Sequence, residues 1–417
     1  MTQIQPAGHS PYFERAQGMP APQAHENEGA SCDTVSLGEA PPDDGTPGVE
    51  KKKWTVMLYS AADNNLEDAL LQDAIDLESV GSDKNTNVLL QLDRGKNPSS
   101  MSGAWPGCHR YFLNNDSDGK NLNSPVLNDM GQVNMADPKT LTDFISWGMK
   151  NYPAEHYMVI ISDHGGGWPG AVEDDSHGGW MKTRDINKAL EDAAKEGGQK
   201  LDIVGFDACL MATSEVGYEL KDSAGFMVAS ENTEGADGWP YPQILTQKSL
   251  RNLQRALREK LDITPEEVAK KIIKDAEGFQ HSLSTLSAVD LSKMKDVAAA
   301  TDAFADKLMA TATPRETLRN IIKSTKSWYG FKDQFDFAER IINSKDVKDE
   351  ELKTAAKSMM EAIGTAVIAE QHTAAHKGAH GLTIELPSYP SAPSDEYKEL
   401  KLSQDTKWDE ALGKLSS

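Results

Sequence analysis

The chain has 417 residues and a formal net charge of −22, with 43 basic against 65 acidic side chains, in a composition that is 26% charged and 38% hydrophobic, as in a soluble globular protein. So negative a surface repels nucleic acid and anionic membranes and attracts cationic ligands, and no stretch is long and apolar enough to span a bilayer. Three cysteines, Cys32, Cys108 and Cys209, are too few and too scattered for a disulfide framework. No basic-then-apolar leader precedes the first strand, so the cytoplasm is the default expectation, with secretion left open.

Residues 1–50 are rich in Pro, Gly, Ala and acids and lack a periodic apolar pattern, which predicts a disordered arm. Lys51-Lys-Lys53 marks the start of the folded region. Trp54–Tyr59 reads as a buried strand, and Asn64 or Asn65 is placed to cap a helix with Leu66, Ala69, Leu70, Ile75 and Leu77 inward. Asn87–Leu92 is a second strand, and His109–Leu113 is a short strand of a hairpin. A helix over Thr140–Met149 leads into the strand Tyr157–Ser162. A helix over Thr183–Lys195 precedes the strand Leu201–Asp207. The helix Ser214–Leu220 and the strand Phe226–Ser230 follow. This alternation predicts an α/β fold over residues 51–250, a mostly parallel sheet flanked by helices on both faces.

Residues 251–417 read as helix-rich. Helices are expected over Ser249–Lys260, Ser292–Thr311, Pro314–Thr325, Phe337–Asn343 and Lys348–Gln371. Thr264-Pro-Glu-Glu267 is a capping box with proline at the first helical position. His281–Val289 is a candidate strand. The late strand at 381–386 is expected to return to the main sheet, because alone it would leave its hydrogen bonds unmet.

Two strand endings carry the chemistry. One runs Tyr157-Met-Val-Ile-Ile-Ser-Asp-His164-Gly-Gly-Gly167, the other Leu201-Asp-Ile-Val-Gly-Phe-Asp207-Ala-Cys209. Groups just past the carboxyl ends of parallel strands face a shared crevice. A thiol and an imidazole delivered there are a nucleophile and a proton carrier, which points to cysteine-dependent acyl transfer, most simply peptide hydrolysis. Alone, Cys209 would read as a small buried hydrophobe and His164 as a surface histidine in a glycine turn. Beyond a strand and before a helix, the thiol is expected to have a lowered pKa. The glycines after His164 offer amide N–H groups to an oxyanion, worth about 3 kcal/mol per donor.

Asp207 lies two residues before Cys209, on the same strand face, and reads either as a turn residue or as a pocket carboxylate for Arg or Lys. Asp237, in the loop after the next strand, is placed to join it. Asp163 neighbours His164 but faces the other way, which weighs against its orienting the imidazole. The stretch Glu173, Asp174, Asp175 and His177 lacks HExxH or paired-cysteine spacing and reads as a solvated acidic loop rather than a metal site.

Trp54-Thr-Val-Met-Leu-Tyr-Ser-Ala-Ala-Asp-Asn-Asn-Leu-Glu67, Ser162-Asp-His-Gly-Gly-Gly-Trp168, Phe206-Asp-Ala-Cys-Leu-Met211 and Ala229-Ser-Glu-Asn-Thr-Glu234 together resemble the clostripain family of cysteine peptidases, in the family's order, over residues 52–390. The resemblance implies a caspase-like fold and a catalytic dyad of His164 and Cys209. It also implies an oxyanion site at the amides of Gly165 and Cys209. Asp207 and Asp237 match the family's specificity-pocket acids, which implies peptide or protein substrates cleaved after Arg or Lys. Self-cleavage between His164 and Cys209 is implied too, with Lys182 and Arg184, in the flexible glycine-rich segment 173–184, as the candidate sites. No cofactor is required on this reading, calcium is left open, and the chain is expected to be a monomer. The alternatives are a non-catalytic binder of basic peptides on the same scaffold and a peptide ligase using the same dyad.

Overall fold

The computed structural model describes residues 51–245, 263–279, 281–389 and 391–416. The arm expected over residues 1–50 and the helix expected over Ser249–Lys260 lie outside them. The first strand, β1 (Lys52–Ala62), organises the rest. Its side chains alternate between two cores: Trp54, Val56 and Leu58 face one, Met57, Tyr59 and Ala61 the other. A strand buried on both faces reads as a continuous apolar run, and parallel sheets are built from such strands.

Parallel to β1 lie β2 (Thr86–Arg94) on one side and β5 (Ala154–Ser162) on the other. β8 (Leu201–Asp207) pairs with β5, and β9 (Ala224–Ala229) with β8, again in parallel. Antiparallel strands extend both edges. β3 (Gly107–Phe112) and β4 (Val126–Asp129) follow β2, while β10 (Thr285–Asp290) and β13 (Val367–His372) follow β9. The nine-stranded order is β13-β10-β9-β8-β5-β1-β2-β3-β4. The chain leaves β1 towards β2 and later returns to β5 on the opposite side. The connections after β1 and β5 therefore diverge, and a crevice opens where they part.

Helices cover both faces. α1 (Glu67–Val80), α5 (Tyr241–Ile244) and α6 (Pro265–Ala276) pack on one side. α2 (Pro138–Asn151), α3 (Thr183–Gly197), α4 (Ser214–Leu220), α7 (Met294–Ala310), α9 (Gln334–Asn343) and α10 (Glu350–Ala366) pack on the other. The capping box is present: Thr264 Oγ1 accepts from Glu267 N, and Glu267 Oε2 accepts from Thr264 N. No helix among the described residues is long and apolar enough to cross a membrane.

Three expectations are corrected. The helix expected through Gln371 stops at Ala366, where the β-branched pair Val367-Ile368 turns the chain into β13 at the sheet edge. The segment at 381–386 does not rejoin the main sheet. Its strand β14 (Thr383–Glu385) pairs with β12 (Phe331–Asp333), which pairs with β11 (Ser327–Trp328), and Thr383 N donates to Ala212 O at 2.9 Å. The backbone need that predicted a return is met by this small sheet. The division at residue 250 is no structural boundary either, because β10 and β13 complete the main sheet and α7, α9 and α10 complete one of its cores.

Candidate active site

The β5–β8 register pairs Ser162 with Asp207, so His164 and Cys209, each two residues further on, stand level at the crevice. Asp163 N donates to Asp207 O at 3.2 Å, carrying the pairing one step past the strands. Gly165 then lies directly on the Ala208–Cys209 peptide: a Cβ there would sit 2.3 Å from Cys209 O and 3.0 Å from Cys209 N. Only glycine permits this approach. Of the amides after His164, that of Gly166 donates to Gly170 O at 3.0 Å, whereas those of Gly165 and Cys209 donate to no backbone carbonyl among the described residues, the Cys209 amide facing its own Sγ.

His164 is buried, and burial lowers its pKa, with the Asp175 charge acting in the opposite sense. Its Nε2 stands 2.8 Å from Asn65 Oδ1. A carboxamide oxygen accepts only, so this contact places the imidazole proton on Nε2 and directs Nδ1 elsewhere. Asp163 does not orient the ring. Its buried carboxylate accepts from Asn64 Nδ2 at 2.7 Å and Glu173 N at 2.6 Å, and so braces the surrounding backbone.

Cys209 occupies a turn whose next residue, Leu210, has φ 68°, a left-handed conformation held by Leu210 N donating to Asn232 O at 3.0 Å. The expected help from a helix N-terminus is absent: α4 begins only at Ser214 and is capped by Thr213, whose side chain accepts from Val216 N. Sγ instead accepts from Glu234 N at 3.3 Å. Burial pushes the thiol pKa up, against the expected lowering, and the Glu234 amide only partly offsets this. The site therefore presents a neutral thiol beside a neutral imidazole at neutral pH.

Beside Cys209 lies a cluster of buried acids. Asp207 Oδ2 accepts from Tyr241 Oη at 2.7 Å and Trp239 N at 3.3 Å. Glu234 and Asp73 complete the cluster; neither oxygen of Glu234 makes a close hydrogen bond, nor does Asp73 Oδ2. A Cβ on Gly238, which has φ 54°, would meet Asp73 Oδ2 at 2.7 Å and Asp207 Oδ2 at 3.1 Å, so two of the acids converge on this backbone. Burial raises all three carboxyl pKa values, and the Asp207 charge pushes Asp73 and Glu234 further up. Asp237 stands apart, its side chain 79% exposed and 3.7 Å from His281 Nε2, although its charge still reaches Asp73.

Residues 58–414 match the clostripain family. The chain belongs to this family. It is accordingly a cysteine peptidase. It is similar to clostripain of Hathewaya histolytica, at 24% identity over 416 residues, covering 85% of this chain and 78% of that one. Its fold is shared with a secreted C11 cysteine protease of Bacteroides thetaiotaomicron bound to an irreversible peptide inhibitor, with a TM-score of 0.60 and 19% identity over 86% of this chain and 99% of that one. An inactive zymogen C11 protease of Parabacteroides distasonis gives a TM-score of 0.60 at 20% identity, with the same coverage.

Sequence reasoning placed His164, Cys209, Gly165 and Asp207 together, and the structure does the same. It missed Asn65, Asp73 and Glu234. The Asn64-Asn65 pair just past β1 was a usable signal, because that strand end opens into the same crevice. Lys182 and Arg184 are not in a flexible loop. The segment 173–184 forms much of a hairpin of β6 (Ala171–Asp174) and β7 (Gly179–Met181), and Lys182 then caps α3. Their side chains are held by Glu396 and Glu399, residues of a short helix (Asp395–Lys398) and its C-terminal cap.

The Asn65 contact makes a prediction about rate. Asn65→Ala is expected to lower kcat by about tenfold or more while leaving KM within about twofold, since misorienting a general acid–base group forfeits part of its 10²–10⁴-fold contribution. Asn65→Asp, which keeps the acceptor, should recover most of the rate and move the acidic limb of the pH–rate profile upward, because a carboxylate stabilises the imidazolium. Steady-state kinetics across pH would check this, and an unchanged kcat in Asn65→Ala would contradict it.

Proposed function

We propose that the protein is an endopeptidase that cleaves after Arg or Lys and activates itself by cutting between His164 and Cys209. The observation that supports the specificity is the group of three buried carboxyls beside the nucleophile, in which Asp73 Oδ2 and both oxygens of Glu234 lack a close hydrogen bond while Asp207 Oδ2 is held by Tyr241 and Trp239. Burying such groups without a partner is costly. A guanidinium or ammonium entering among them would be desolvated onto ready acceptors, and would offset the cost that burial imposes on their ionised forms. The exposed Asp237 and the net negative surface would draw basic segments towards them.

The chemistry follows from the neutral pair. His164 takes the Cys209 proton at the ring nitrogen not engaged by Asn65, and Sγ attacks the scissile carbonyl. The carbonyl electrons pass to oxygen, where the amides of Gly165 and Cys209 would receive the charge. Collapse of this intermediate breaks the C–N bond, and the imidazolium delivers its proton to the departing amine. Water, deprotonated by the same imidazole, then hydrolyses the thioester and restores the thiol.

Self-cleavage rests on the position of Lys182 and Arg184 between the dyad residues, and on the existence of zymogens in the family. The Lys182–Thr183 bond lies at the start of α3, and both basic side chains are about half exposed and paired with acids of the C-terminal segment. Cutting there would release α3 from the hairpin and the His164 turn from one of its tethers. Replacing both residues by Ala is expected to abolish the two-chain product on a denaturing gel. An unchanged product would place the cut elsewhere.

Matched fluorogenic peptides ending in Arg, Lys, Asp or Leu test the specificity. Cleavage is expected after Arg and Lys only, lost in Cys209→Ala, and reduced about tenfold or more in kcat/KM by Asp207→Asn, as for removal of a buried charged partner. Alkylation of Cys209 by a small neutral reagent should survive Asp207→Asn, which separates a specificity defect from a collapsed site. Equal cleavage after Leu, or a joined rather than hydrolysed product by mass, would contradict the proposal.

A further inference from the structure

A second constellation lies on the other side of β1 from the nucleophile. Asp63 ends the first strand's turn, Asp174 closes β6, and His177 stands in the β6–β7 turn. One ligating atom from each lies within 4.8 Å of the others. Asp174 is fully buried rather than part of a solvated loop. Its Oδ1 accepts from His177 N and from His177 Nδ1, both at 2.9 Å, and its Oδ2 accepts from Met135 N at 2.9 Å.

The second observation concerns unmet oxygens. Asp63 is 6% exposed and its Oδ2 has no hydrogen-bond partner; Asp93, on the neighbouring strand β2, is 1% exposed and its Oδ1 has none either. Among the described residues, the side-chain nitrogen that meets this group is His177 Nδ1, 2.9 Å from Asp174 Oδ1. Buried carboxylate oxygens without a partner are costly, and a bound cation would supply one.

We propose that Asp63, Asp174 and His177, with Asp93 behind them, bind a divalent cation of the zinc or manganese type. The donor set is two carboxylates and an imidazole. Imidazole suits zinc and other borderline ions, whereas calcium and magnesium take oxygen ligands throughout. For His177 Nδ1 to bind the ion, it would give up its hydrogen bond to Asp174 Oδ1 and release its proton.

The bound ion would act on the dyad through the backbone. Asp175 N donates to Asp63 O at 2.8 Å, joining the hairpin to the end of β1. The next two residues after Asp63 are Asn64, which holds Asp163, and Asn65, which holds His164. An ion binding Asp63 and the hairpin together would fix the segment that orients the imidazole. The site depends on none of the specificity argument and stands or falls separately from it.

The test uses full-length Cys209→Ala protein, which removes the catalytic thiol as a competing zinc ligand. After chelator treatment it is titrated calorimetrically with Zn²⁺, Mn²⁺, Ca²⁺ and Mg²⁺ in turn, and thermal unfolding is followed with each. One equivalent of Zn²⁺ or Mn²⁺ is expected to bind, with a rise in Tm. His177→Ala, at an exposed position where folding is retained, should weaken binding by roughly tenfold or more and remove the rise. Asp63→Asn should do the same. Absence of binding at micromolar ion, binding undisturbed by His177→Ala, or a preference for Ca²⁺ or Mg²⁺ would overturn the proposal.

Discussion

The contact on which this structure depends is the bare backbone of Gly165 against the Ala208–Cys209 peptide. Parallel pairing of β5 and β8 brings the two turns to the same height, and the missing side chain lets them touch. Everything chemical follows from that closeness. The His164 and Cys209 positions stand level past neighbouring strand ends, and the amides of Gly165 and Cys209, which meet no backbone acceptor among the described residues, lie in the same turns. A methyl group at residue 165 would collide with the Cys209 carbonyl, so this glycine is dictated by the site rather than by the turn. The topology supplies the rest: the crevice lies where the chain switches sides of β1, and Asn65 reaches His164 from the end of that same strand.

The surroundings show how burial is used. The thiol and the imidazole are both pushed towards their neutral forms, as are Asp73, Asp207 and Glu234. Three carboxyls in a low-dielectric pocket all have their pKa values raised, because burial and their mutual charge disfavour the ionised forms. Under the proposed specificity, arrival of a basic side chain would offset that cost. Glu234 links the two halves, since its amide donates to the thiol while its carboxyl faces Asp207.

Much of this was legible in the sequence. Parallel strands buried on both faces announce themselves as apolar runs, and β1, β2, β5 and β8 all do. The His164 and Cys209 endings were readable because catalytic groups at strand ends need no tertiary knowledge beyond the sheet itself. Asn65 was legible only in part: its place past β1 points to the crevice, but its pairing with His164, 99 residues away, depends on which strands are neighbours. Asp73 sits in a helix where an acid ordinarily faces water, and only the fold turns it inward. The helix-dipole argument for Cys209 failed because Leu210 takes a left-handed turn and Met211 to Thr213 intervene before α4 begins. β4 escaped notice because it is a short edge strand, exposed along most of its length, and so carries no alternating pattern.

A crystal structure of the protein inactivated by a peptidyl ketone carrying a terminal arginine would test the account most directly. It predicts a bond from Cys209 Sγ to the inhibitor, with its oxygen on the Gly165 and Cys209 amides and its guanidinium among Asp73, Asp207 and Glu234. A guanidinium lying in solvent or against another surface, with those carboxyls untouched, would contradict it.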